Sequence, residues 1–90
     1  MAEQERHGTV VSVRSSVVDI AFAPPLPGLY NIVKAGDQNQ IIIEVINHLD
    51  ANTVRGIALT STQGLALGSH VIDTGHSLQV PVGERLSLIH

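Results

Sequence analysis

The stretch "QIIIEVINHLDANTVRGIAL", residues 40–59, decides how this sequence is read. Its first half carries aliphatic residues on both parities, the pattern of a strand packed on two sides. "DAN" at 50–52 breaks the run, and "TVRGIAL" at 53–59 reads as the returning arm of a hairpin. Asp50 and Asn52 supply the residue types that tolerate tight-turn dihedrals. Upstream, "GTVVSVRSSVVDIAF" (8–22) is dense in β-branched residues, with Val11, Val13, Val17 and Ile20 among small polar ones and Ser15-Ser16 as a bend between two strands. Between these blocks, "APPLPG" (23–28) excludes regular structure, because three prolines in six residues remove backbone donors and fix φ. A short segment around Tyr30–Val33 follows, closed by the turn-like "KAGDQN". Downstream of "TSTQG" lie short pieces around Leu65–Leu67, His70–Ile72 and Leu78–Val82, separated by Gly64, Gly68 and Gly75. No window of helical length repeats apolar positions at the helical period without interruption by glycine or β-branched residues. Six or seven short strands with turn signals between them describe an all-β fold, a small barrel or a sandwich.

Composition bounds what such a fold can do. The chain has 90 residues, enough for one domain, and no cysteine, so neither disulfides nor a cysteine-based metal site can staple it. Charged residues make up 14% of the chain, against about 25% in ordinary soluble domains. So few charges imply that part of the outer surface is covered by a partner. A formal net charge of −3, with Lys34, Arg6, Arg14, Arg55 and Arg85 as the only cations besides histidine, cannot supply the basic stripe that phosphate backbones need, which argues against nucleic acid. The apolar runs are far shorter than the ~18–20 residues that cross a bilayer, so no direct membrane insertion is expected. The polar, acidic "MAEQERHG" start carries no targeting signal.

The polar residues do not assemble into chemistry along the sequence. Asp19 and Glu44 sit inside apolar strands at the parity that points to solvent. His70 and His76 are separated by a glycine turn, and His7, His48 and His90 are scattered, so no metal-ligand spacing is present. Asp73, His76 and Ser77 contain the letters of a catalytic triad but lie too close along one turn to align, and no nucleophile-elbow motif surrounds Ser77. Neither phosphate-binding loop pattern occurs; "GLALG" at 64–68 lacks the Lys and Ser/Thr that would follow. Phe22 and Tyr30 are too few aromatics for a base-stacking platform.

The order of the motifs carries more than their composition. "GTVVSVRSSVVDIAF", "LPGLYN", "IIIEVINHLDANTVRGIAL", "TQGL", the glycine at 68, "VIDTG" and "VPVG" together resemble the amino-terminal β-barrel domain of the β subunit of F-type ATP synthases, over about residues 7–86. The run His48, Leu49, Asn52, Thr53, Val54, Arg55, Ile57 and Ala58 is similar to the β subunit more than to the α subunit.

This resemblance implies a small closed six-stranded antiparallel β-barrel over 7–83, after a flexible segment 1–6 and before a truncated linker, 84–90, toward a nucleotide-binding domain. It implies an assembly role: barrels of α and β subunits alternate in a hetero-hexameric ring, the crown, at the end farthest from the membrane. The core is expected from Val10, Ile43, Val45, Val54, Ile57 and Val71, and the contacts from strand-edge backbone with Asn52 and Arg55. Gly64, Gly68 and Gly75 become turn glycines, and Asp73-Thr74 a turn-capping pair. No catalytic, cofactor or metal residue is expected in this domain; ATP, ADP and Mg belong to the parent subunit, which would make or hydrolyse ATP coupled to ion translocation. Gln63 and Leu67 replace an acidic residue and an arginine of the family, so no ion pair across the ring is expected there. The ending "ERLSLIH", in place of a leucine, a glycine and an arginine, suits an excised or truncated domain of a divergent member. Without an Arg-rich leader the expected parent is bacterial, a peripheral complex on the cytoplasmic face of the inner membrane. The alternative is a stand-alone barrel, an adaptor or ligand-binding module, with His70 and His76 lining a site.

Overall fold

The computed structural model describes residues 6–77. Six antiparallel strands, β1 (Arg6–Arg14), β2 (Val17–Phe22), β3 (Asn31–Ala35), β4 (Ile41–Asp50), β5 (Thr53–Ala58) and β6 (His70–Ser77), close into a barrel in the order β1-β2-β5-β4-β3-β6. The fold is all-β, and among the described residues there is no helix. The expected strand around Leu78–Val82 and the segment 84–90 lie outside the described residues, as does all of 1–6 but Arg6.

Local chemistry sets the turns. At the β1–β2 hairpin Arg14 pairs with Val17, and Ser15 takes a φ of 56° at the first central position of a two-residue loop, which strand twist favours. The β4–β5 hairpin solves its turn differently. Neither Ala51 nor Asn52 adopts positive φ; instead the Asp50 carboxylate accepts the Asn52 backbone N–H at 2.8 Å. Between β5 and β6, Gly64 and Gly68, with φ of 91° and 87°, occupy the third positions of two successive turns closed by Leu65 N–H to Thr62 O and Ser69 N–H to Ala66 O. Gly75 is not a turn between strands. It lies inside β6 with a φ of 81°, where residues 73–77 of β6 oppose only 31–33 of β3 and form a bulge. The Asp73 side chain caps that bulge by accepting the Gly75 N–H at 2.9 Å.

The interior is aliphatic. Val10, Val18, Ile20, Val33, Ile41, Ile43, Val45, Val54 and Val71 are buried, with Phe22, Ala35 and Ala58 completing the cluster. Five of the six expected core positions are among them. Ile57 is the exception: it is only half-buried, because Val54, Gly56 and Ala58 are the residues of β5 that face inward. The first half of β4 is likewise packed on one side only, Ile41, Ile43 and Val45 being buried while Ile42 and Glu44 are half-exposed on the outer face. The loops 23–30 and 59–69 cross opposite ends of the barrel, and Leu26 and Leu65 pack against the core from those ends.

One inward position has no room for a side chain. A Cβ on Gly56 would collide with Ile43 Cγ2 and sit 2.9 Å from the Glu44 carbonyl oxygen. Gly56→Ala is therefore expected to destabilise the barrel by about 1–3 kcal/mol through overpacking. Ile43→Ala should cost about 2–5 kcal/mol by opening a cavity at a fully buried site, and Ile57→Ala markedly less. Urea melts of the three variants check both statements; equal effects of Ile43→Ala and Ile57→Ala would contradict the inward–outward assignment.

Candidate contact surface

In the closed order every strand has a neighbour on each side, but the pairing is partial: β1 pairs with β6 only over Arg6–Thr9, and β4 with β3 only over Ile41–Glu44. The expected strand-edge contacts would fall on the stretches paired on one side only, and exposed side chains add to them. The outer surface provides such side chains where register slips. In β1 the pairing jumps from Val10↔Ile20 to Ser12↔Asp19, leaving Val11 as an extra residue. In β4 it jumps from Val45↔Gly56 to Asn47↔Arg55 and again from His48↔Val54 to Asp50↔Thr53, leaving Ile46 and Leu49 as extras. A bulged residue drops out of the ladder and re-aims its neighbours. All three extras are apolar and face outward, Val11 at 47%, Ile46 at 38% and Leu49 at 40% exposure. The Val11 bulge also lets Val10 and Val13, three residues apart, both meet the core.

Other large apolar side chains are exposed as well. Leu29 and Tyr30 project from the loop before β3, Leu59 follows β5, and Leu67 stands at the tip of the second turn with 68% of its surface exposed. The loop 23–30 is pinned rather than loose. Tyr30 N–H donates to the Val45 carbonyl at 2.6 Å, and His48 Nε2 donates to the Pro27 carbonyl at 2.7 Å. His48 thus fastens a proline-rich loop to β4, a contact that its position in the sequence did not signal.

Asn52 lies exposed at the tip of the β4–β5 hairpin, where its backbone carbonyl accepts the Phe22 N–H at 2.9 Å and its side chain reaches the Phe22 carbonyl at 3.5 Å. Arg55 is half-buried on the outer face of β5, directly opposite Asp19 of β2. Its guanidinium grips that carboxylate with two bonds, Nε to Oδ1 at 2.8 Å and Nη2 to Oδ2 at 3.1 Å. Hydrogen bonding to Asp19, then its charge, hold the Arg55 guanidinium above its ordinary pKa, so it stays cationic. Asp19 therefore does not stand alone in solvent, and this pairing follows from β2 lying beside β5, which no local pattern reveals. Asp73, by contrast, is buried, with Arg6 Nη1 3.8 Å from its Oδ2.

The histidines are also redistributed. His70 and His76 stand near the two ends of β6, about 20 Å apart along the strand at its ordinary rise, and do not share a site. His70 instead meets His7 across the β1–β6 seam, Nδ1 of His7 lying 2.8 Å from Nε2 of His70. His7 is thus not isolated. No group of three or more metal-ligating side chains occurs among the described residues.

Residues 10–75 match the ATP synthase alpha/beta family, beta-barrel domain. The chain is 48% identical over 84 residues to ATP synthase subunit beta 2 of Syntrophotalea carbinolica, an alignment covering 93% of this chain and 18% of that protein. It is 57% identical over 70 residues to ATP synthase subunit beta of Acaryochloris marina, covering 78% of this chain and 15% of the relative. With ATP synthase subunit beta 2 of Shewanella frigidimarina it shares 52% identity over 79 residues, 88% of this chain and 17% of that protein. The chain thus spans less than a fifth of the length of these curated relatives. A closed six-stranded barrel, a family match over most of its length and kinship with beta subunits agree: the chain belongs to the ATP synthase alpha/beta family, as its β-barrel domain.

Proposed function

We propose that this barrel is an assembly module, the crown domain of an F-type ATP synthase β subunit, which holds an alternating ring of α and β subunits together. The observation that carries this reading is the outward apolar set Val11, Ile46 and Leu49 on a closed barrel. A free monomer has no use for apolar side chains turned out by bulges, whereas a packed ring desolvates them. The beta-subunit identity of the relatives supports the β position in such a ring. Asn52 and Arg55 are the proposed polar contacts, Arg55 as a cation already oriented by Asp19 and Asn52 as an exposed amide at a hairpin tip.

On this reading the domain is not itself an enzyme and holds no cofactor. ATP or ADP with Mg, and the making or breaking of ATP coupled to ion movement, belong to the rest of the parent subunit. The proposed setting is a peripheral complex on the cytoplasmic face of a bacterial inner membrane. No helix among the described residues is long and apolar enough to cross a membrane.

The test is sedimentation together with amide NMR of the chain, alone and with the equivalent α-subunit barrel. Shifts confined to residues around Val11, Ile46 and Leu49 on adding the α barrel are expected. Ile46→Lys with Leu49→Lys should leave the melting transition within about 1 kcal/mol of wild type, as exposed positions do, and abolish those shifts. A folded chain indifferent to the α barrel would overturn the assembly reading and favour a stand-alone adaptor.

A further inference from the structure

We propose that His7 and His70 form a two-imidazole chelate for a divalent transition-metal cation of the copper, nickel and zinc class, placed across the seam that closes the barrel. His7 lies opposite Ile72 and His70 opposite Thr9 in the β1–β6 ladder, so the two histidines are diagonal neighbours on one face. Their rings stand with centroids 4.7 Å apart and a 35° tilt, and both side chains are exposed. The two facing nitrogens are 2.8 Å apart. Metal–imidazole bonds of ~2.0–2.1 Å meeting at a right angle put their nitrogens about 2.8–3.0 Å apart, the adjacent-ligand spacing of tetragonal Cu(II) and Ni(II) sites.

A proton shift and a turn of the two rings admit a cation. In the neutral pair one ring donates its N–H to the other. When that ring moves its proton to its outer nitrogen, two neutral imidazoles present two lone pairs, and no net proton is lost. Both rings can turn toward a shared ion because neither is enclosed by the core. Among the described residues no third His, Asp or Glu completes the set, so water fills the remaining positions and affinity stays below that of a three- or four-ligand site.

The placement gives the ion a structural effect. β1 and β6 share four residue pairs, Arg6–Thr9 with His70–Asp73, and the histidines are 63 residues apart in sequence. A cation held by both ties β1 to β6 and closes the 63-residue span between the histidines into one loop.

The experiment is a melting and calorimetric titration of the untagged 90-residue chain with Ni²⁺ alone. A rise in melting temperature with Ni²⁺ is expected, and His7→Gln and His70→Gln should each weaken binding by about 10²-fold, the loss that follows when one arm of a two-point attachment is removed. His76→Gln should bind as wild type does. With Cu²⁺ in place of Ni²⁺, paramagnetic broadening should begin at residues 7 and 70. Binding that survives either substitution, broadening that begins elsewhere, or a melting temperature indifferent to Ni²⁺ would overturn the proposal. Melts of the variants without metal separate this from loss of the histidine–histidine hydrogen bond, which would lower stability at any metal concentration.

Discussion

Inward packing of aliphatic side chains within a closed sheet is the constraint on which the rest of this structure depends. The chain has no cysteine and little charge, so cohesion must come from dispersion and the removal of apolar surface from water. A six-stranded barrel suits that need because its interior is narrow enough for side chains to fill completely. The fit is tight at Gly56, where the Cγ2 methyl of Ile43 occupies the space a side chain would take. Branched residues from all six strands meet in the interior, and the strand order brings them together.

The same constraint explains the outer surface. Strict alternation in β1 and β4 would place each residue by parity alone, but bulges at Val11, Ile46 and Leu49 interrupt it. Each bulge twists and bends its strand, as closure of a small barrel requires, and each also turns one apolar residue outward. Shape and contact surface therefore share a cause. The Asp19–Arg55 pair lies on the same outer layer, charge set beside apolar residues in the manner of an interface that needs orientation as well as adhesion.

Strands and hairpins were legible in the sequence because their signals are local. Alternating β-branched runs, the Ser15-Ser16 bend, the prolines of 23–28 and the Asp50–Asn52 break all act within a few residues. Strand number and closure came from the ordered set of motifs and not from periodicity, which left barrel and sandwich open. Ile57 was misplaced because its facing depends on the register of β5 between two neighbours, and Gly75 because a glycine bulge inside a strand looks in sequence like a glycine turn between strands. The contacts of Arg55 with Asp19, His48 with Pro27 and His7 with His70 were hidden for one reason: each joins segments that only the three-dimensional strand order makes adjacent.

That strand order also bears on how the barrel comes into being. Without β6, the other five strands form an open sheet β1-β2-β5-β4-β3, with β1 and β3 as its two edges. β6 is the last of the described strands and is the one that pairs with both. The hairpins β1–β2 and β3–β4–β5 join residues near in sequence, whereas closure joins β6 to residues far from it in the chain, Ala35 with Val71 at the nearest and Arg6 with Asp73 at the farthest. During synthesis the nascent sheet therefore exposes two unsatisfied edges and one flank of its aliphatic interior until His70–Ser77 has emerged. Closed around its aliphatic interior, the finished barrel is a less adhesive form of the same sheet.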